Sequence, residues 1–130
     1  MNLISIRIIT ENVKGLVNFY EQLTGLKAIQ YTDDFSELQT NSATLAIGSV
    51  RTLQFFGGDE VAQASHNRTA IIEFRVQDVD EEYKRLCNFI QPHLVQKPTM
   101  MPWGNKSLLL RDPDGNLVNF FTPSSSSFLK

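Results

Sequence analysis

The sequence predicts an α+β fold made of two tandem βαβββ modules within one domain, and three observations carry that reading. Ile6-Arg7-Ile8-Ile9-Thr10-Glu11-Asn12-Val13 lies over Ile72-Glu73-Phe74-Arg75-Val76-Gln77-Asp78-Val79 at an offset of 66 residues. Strand, two-residue bridge, helix cap and first apolar helix position coincide in the two copies. The hairpins that follow match in kind: Ala43-Thr44-Leu45-Ala46-Ile47 sits where Asn116-Leu117-Val118-Asn119-Phe120 sits, after a longer turn. Finally, 130 residues at 14.7 kDa suit one domain, or two very small modules sharing a core.

Leu3 to Thr10 is rich in Ile and reads as a strand. Asn12 caps a helix that carries Val13, Leu16, Val17, Tyr20 and Leu23 at helical spacing, and Gly25 supplies its left-handed stop. Strands follow at Lys27 to Thr32, Phe35 to Thr40 and Ala43 to Gly48, separated by the turn residues Asp33-Asp34 and Asn41-Ser42. Module one thus covers about residues 1–50. Residues 51–69 read as a connector with one helical turn. In module two, about residues 70–123, Ala70 to Val76 alternates like a strand. Asp78 caps a helix bearing Val79, Tyr83, Leu86, Cys87 and Ile90, which Pro92 ends. A short strand is expected at His93 to Gln96, then a loop from Lys97 to Gly104. A hairpin of Ser107 to Arg111 and Leu117 to Phe121 turns on Asp112-Pro113-Asp114-Gly115-Asn116. The tail, residues 124–130, is polar and expected to fray.

Composition excludes several classes of function. A net charge of −2 without a basic block gives a nucleic acid no electrostatic footprint. No apolar run approaches the roughly 18 residues of a membrane span, and the first residues lack signal-peptide character, so a cytoplasmic protein is expected. Cys87 is the sole cysteine, which rules out a disulfide framework and a cysteine-based zinc site. It falls on the apolar side of its helix and reads as a packed thiol. His66 and His93 lie in connecting segments and read as solvated. Asn67-Arg68-Thr69 and Gly57-Gly58 carry no function by themselves.

Strand alternation sorts the side chains. With Ile6, Ile8, Ile72 and Phe74 facing the helices, Ser5, Arg7, Ile71, Glu73 and Arg75 face the opposite side. Asn119 and Phe121 share that opposite side, while Val118 and Phe120 pack under the helices. Apolar and aromatic groups with a few polar ones make a typical small-molecule pocket. Trp103, in a loop beside the hairpin, is placed either to close over it or to pack at an edge. Arg7 and Glu73 are equivalent positions of the two modules. They are expected either to form an ion pair fixing how the modules meet or, with Asn119, Phe121 and Trp103, to make a ligand site.

Asn12-Val13, Phe19-Tyr20 and Leu23-Thr24-Gly25-Leu26 are followed in order by Phe74-Arg75-Val76-Gln77-Asp78-Val79-Asp80, Pro102-Trp103-Gly104 and Arg111-Asp112-Pro113-Asp114-Gly115-Asn116. This ordered set resembles the vicinal oxygen chelate superfamily, which includes glyoxalase I, extradiol dioxygenases and the bleomycin-resistance proteins. The resemblance implies one curved, cup-shaped mixed sheet with helices on its convex face, and a homodimer. It also implies four inward metal-ligand positions, usually His, Glu or Gln, from the first and last strand of each module. Carried across, these fall on Ser5, Ala46, Ile71 and Asn119. Should Thr52-Leu53-Gln54-Phe55-Phe56 be the fourth strand instead, Gln54 replaces Ala46. Ala and Ile offer a metal no ligand atom, and a serine hydroxyl or an amide oxygen is a poor substitute for imidazole or carboxylate.

The expectation is therefore a metal-independent protein, without cofactor, that binds a small and partly aromatic molecule. The alternative is a lyase or dioxygenase relative with unusual metal ligands, or an enzyme using Glu73 as a base without metal. A purely structural or interaction protein is a weaker third reading. The scaffold alone does not choose among them, because one fold hosts many chemistries.

Overall fold

Side-chain chemistry at the helix ends sets the frame of module one. Asn12 accepts a hydrogen bond through Oδ1 from Gly15 N (2.9 Å), and α1 runs Val13–Thr24. Gly25, at φ 77°, donates its N–H to Glu21 O (2.8 Å) and ends the helix in a conformation that costs a side-chain-bearing residue strain. Val13, Leu16, Phe19, Tyr20 and Leu23 recur every three to four residues, and all are buried. The computed structural model describes residues 1–123, so the expected frayed tail lies outside the described residues.

The chain divides into two compact units, residues 1–66 and residues 67–130. In the first, β1 (Ser5–Thr10), β2 (Ile29–Thr32), β3 (Phe35–Gln39) and β4 (Thr44–Ser49) form a mixed sheet in the order β1-β4-β3-β2. The β1–β4 pair is parallel, and β4–β3 and β3–β2 are antiparallel. α1 packs on β3 and β4, where Leu38, Leu45 and Ile47 are buried. Since Leu38 pairs with Leu45, and Ile6 and Ile8 pair with Leu45 and Ile47, these side chains share the helix-covered face.

The second unit repeats the plan. β5 (Ile71–Arg75), α2 (Val79–Ile90), β6 (Leu94–Met100), β7 (Lys106–Arg111) and β8 (Leu117–Thr122) form a sheet in the order β5-β8-β7-β6. β5 and β8 run parallel, and β8–β7 and β7–β6 antiparallel. Asp78 caps α2 by accepting from Asp80 N (2.9 Å) and Glu81 N (3.3 Å). Asp80, Glu81 and Glu82 then place negative charge at the positive end of the helix. Val79, Leu86 and Ile90 close on Leu108, Leu110, Val118 and Phe120, and Phe74 meets Phe120 edge-on at 5.5 Å.

Three expectations change in detail, and the open choice of the fourth strand is decided. The mixed sheet is present as two four-stranded sheets, one in each module. Residues 97–100, expected in a loop, belong to β6. The strand tolerates Pro98 because it lies at the sheet edge and is paired on one side only, with irregular register around Gln96. Thr52 to Phe56 is no fourth strand: Val50–Phe55 is a 3-10 helix, started by the Ser49 hydroxyl accepting from Arg51 N. Ala46 therefore holds the β4 position. Cys87 is half-buried rather than packed in the core, its thiol directed at Lys84 O (3.7 Å).

Candidate functional site

Each sheet has one face covered by its own helix and one that its helix leaves free, and register decides what stands on the free face. In module one, Arg7 pairs with Ala46, which pairs with Glu37. Phe35 and Gly48 are likewise cross-strand neighbours. The Arg7 guanidinium lies over the Phe35 ring at 4.5 Å and over the Phe56 ring at 5.0 Å. Beside it Glu37 Oε1 accepts from the Tyr31 hydroxyl (3.1 Å) and from Gln39 Nε2 (3.0 Å). The bond to Glu37 stabilises the neutral phenol and raises the Tyr31 pKa, with desolvation and the carboxylate's charge adding to the effect.

In module two, Glu73 pairs with Asn119, and Phe121 pairs with Arg75 and Ser107. Asn119 Nδ2 donates to Glu73 Oε2 at 2.9 Å, which fixes the orientation of the amide. The other amide atom, Asn119 Oδ1, is buried without a hydrogen-bond partner. Trp103 stands in the loop before β7, 57% exposed, and makes no ring contact with Phe121 among the described residues. The loop is closed by Met101 N to Asn105 O (2.6 Å) and Gly104 N to Met101 O (2.9 Å).

Of the residues expected to bind ligand, the structure thus brings Glu73 and Asn119 together and puts Phe121 on their face. Arg7 occupies the free face of module one. Sequence reasoning missed Phe35, Phe56, Tyr31 and Glu37. Tyr31, Phe35 and Glu37 lie on β2 and β3, outside the family-equivalent strands, and Phe56 lies in the connector, where the 3-10 helix brings it back to β1. A separate cavity of about 650 Å³ lies in module one, lined by Glu11, Arg51, Leu53, Asp59, Ser65 and His66. Its residues come mostly from the connector, and Arg7 is not among them. There Arg51 is paired with Asp34 (2.6 Å), and His66 Nδ1 is 2.7 Å from Ala64 O.

The family model for the Glyoxalase/Bleomycin resistance protein/Dioxygenase superfamily matches residues 2–120, and the chain belongs to that superfamily. A solved structure described as a conserved domain protein is 29% identical, with a TM-score of 0.76, over 95% of this chain and 100% of its own. A glyoxalase/bleomycin resistance protein/dioxygenase family enzyme from Burkholderia phytofirmans is similar at TM-score 0.81 and 16% identity, over 94% and 98%. A glyoxalase-related enzyme from Fulvimarina pelagi is similar at 0.78 and 18%, over 94% and 88%. At these last identities the likeness speaks for the fold. None of the curated proteins compared with the chain matches it. No helix among the described residues is long and apolar enough to cross a membrane.

The residues present do not fit the divalent metal that the superfamily's enzymes hold. Ser5 and Ala46 lie on β1 and β4, and Ile71 and Asn119 on β5 and β8. Ala46 and Ile71 have no donor atom, which leaves at the four positions a neutral Ser5 hydroxyl and the neutral Asn119 Oδ1 in place of imidazole and carboxylate. Among the described residues no group of three or more His, Cys, Asp or Glu is placed to substitute for them.

Proposed function

We propose that the protein is a metal-independent member of the superfamily that binds a small, partly aromatic molecule. The observation that carries this is the pairing of a donor-poor metal position set with free sheet faces that hold aromatic and polar anchors. Arg7 in module one, and Glu73, Asn119, Phe121 and Trp103 in module two, are the ligand-contacting groups. The same reading makes the protein a cytoplasmic homodimer. The half-buried free thiol of Cys87 suits a reducing compartment, and the exposed Phe55 ring offers apolar surface to a second copy.

Two measurements on the purified, dialysed chain test it. Elemental analysis is expected to find no stoichiometric zinc, nickel, manganese or iron. Thermal melts in each metal are expected to superimpose, whereas a metal at 100 times its Kd would add about 2.7 kcal/mol. A thermal-shift screen of metabolites and antibiotics is expected to return flat, polar-substituted ligands. About one metal per chain surviving dialysis, or turnover of the methylglyoxal–glutathione adduct, would replace this reading with the metal-enzyme one.

A further inference from the structure

We infer that the free face of module one is a recognition site for a singly charged carboxylate, with Arg7 as its anchor. The inference deepens the ligand-binding reading above and rests on it.

Three features hold the guanidinium ready. Its π-face is occupied by Phe35 at 4.5 Å and Phe56 at 5.0 Å, which confine the group without using any of its N–H donors. Among the described residues Arg7 makes neither a hydrogen bond nor an ion pair, and it is exposed. The residues opposite it are small. Ala46 is its partner on β4, and a Cβ at Gly48 would stand 3.4 Å from Arg7 Cδ.

An exposed arginine would ordinarily turn to the nearest carboxylate. The carboxylate that shares its face is Glu37, two strands away, and it is held elsewhere. Tyr31 and Gln39 both donate to its Oε1. Arg7 consequently keeps a planar fork of donors, the geometry that accepts the two oxygens of a carboxylate through parallel hydrogen bonds. Charge selects among anions. Arg7 and Glu37 are the charged side chains that β1, β3 and β4 place on this face, so the local charge is balanced before a ligand arrives. A monoanion at Arg7 leaves this face with one net negative charge, whereas a phosphoryl dianion leaves two beside Glu37, with no second cation from these strands. The exposed Phe56 ring, bordering the guanidinium, favours a ligand whose carboxylate is carried on a flat apolar body.

Calorimetry on the full chain with three probes of one size tests this: benzoate, benzamide and phenylphosphonate. Benzoate is expected to bind at least tenfold more tightly than either of the others. Arg7→Met is expected to abolish that preference, and Arg7→Lys to restore less than half of the binding energy because the planar fork is lost. Phe56→Leu, at an exposed ring outside the core, is expected to weaken benzoate several-fold and keeps the test decisive should Arg7→Met fail to fold. Absence of benzoate binding, equal binding of benzamide, or affinity unchanged in both variants overturns the carboxylate site. Preference for phenylphosphonate overturns it in favour of a phosphoryl ligand. None of these outcomes touches the metal-independent reading, which fails only on retained metal or turnover.

Discussion

Asp112→Ala removes the acceptor around which the β7–β8 turn is built. Asp112 Oδ1 accepts from Asp114 N and Asn116 N, both at 2.9 Å, and Oδ2 accepts from Asn116 Nδ2 at 2.8 Å. The residue is 3% exposed and Asn116 is 2% exposed. Asn116 Oδ1 in turn accepts from Asn67 Nδ2 (3.1 Å), so the carboxylate also holds the segment that enters β5. Alanine leaves the Asn116 N–H and amide buried without their acceptor, while the Asp114 N–H is closer to water. A hydrogen bond to a charged group contributes about 1.5–3 kcal/mol, and a buried unsatisfied donor costs about 1–3 kcal/mol. Discounting for groups that act as a unit, we expect a loss of about 3–5 kcal/mol. That is a large share of the ~5–15 kcal/mol of a typical domain. It corresponds to a melting temperature lower by roughly 10–20 °C for a chain of this size. Urea unfolding followed by far-ultraviolet circular dichroism measures it directly. Asp112→Asn keeps the shape but turns an NH₂ or a weaker acceptor toward the same donors, and falls between the two. A loss under about 1 kcal/mol for Asp112→Ala would refute this account of the turn.

The Ser49 hydroxyl (2.8 Å), and after it the Arg51 guanidinium, hold the Asp34 carboxyl below its ordinary pKa. Its contribution is therefore complete above the unfolded value of about 3.9 and is lost as pH falls through the lowered folded value. Asp34→Asn should melt below the parent at pH 7 and converge with it in strong acid; parallel melting curves down to pH 2 would contradict the assignment. Gly25→Ala, at φ 77°, should cost about 1–2 kcal/mol in chemical denaturation, since alanine is strained in that region. For the proposed homodimer, light scattering at micromolar concentration should give twice 14.7 kDa; the monomer mass would rule it out.

Where the determining forces act within a few residues, the sequence was legible. Asn12, Gly25 and Asp78 terminate helices through bonds to backbone two to four positions away, and each does so in the structure. The Asp112 to Asn116 turn is equally local. The 66-residue repeat carried the parity of the strands, and register confirms it in both modules: Arg7 stands opposite Ala46, and Glu73 opposite Asn119. The extent of β6 was less legible. Pro98 argues against a strand unless its position at the sheet edge is known, and edge position is a property of strand order.

The amino-acid sequence by itself determined the superfamily, the two-module plan and the poverty of donors at Ser5, Ala46, Ile71 and Asn119, because residue identity and short-range periodicity suffice for all three. Only the tertiary structure decided what the polar side chains on the free faces do. It holds Arg7 on Phe35 and Phe56, holds Glu37 away from Arg7 through Tyr31 and Gln39, and commits the Asn119 amide to Glu73. Several partners compete for each of these groups at comparable energy, and the winner depends on ångström-scale distances between strands and the connector. A charged side chain's partner is therefore settled after the backbone is in place, and the site's chemistry with it.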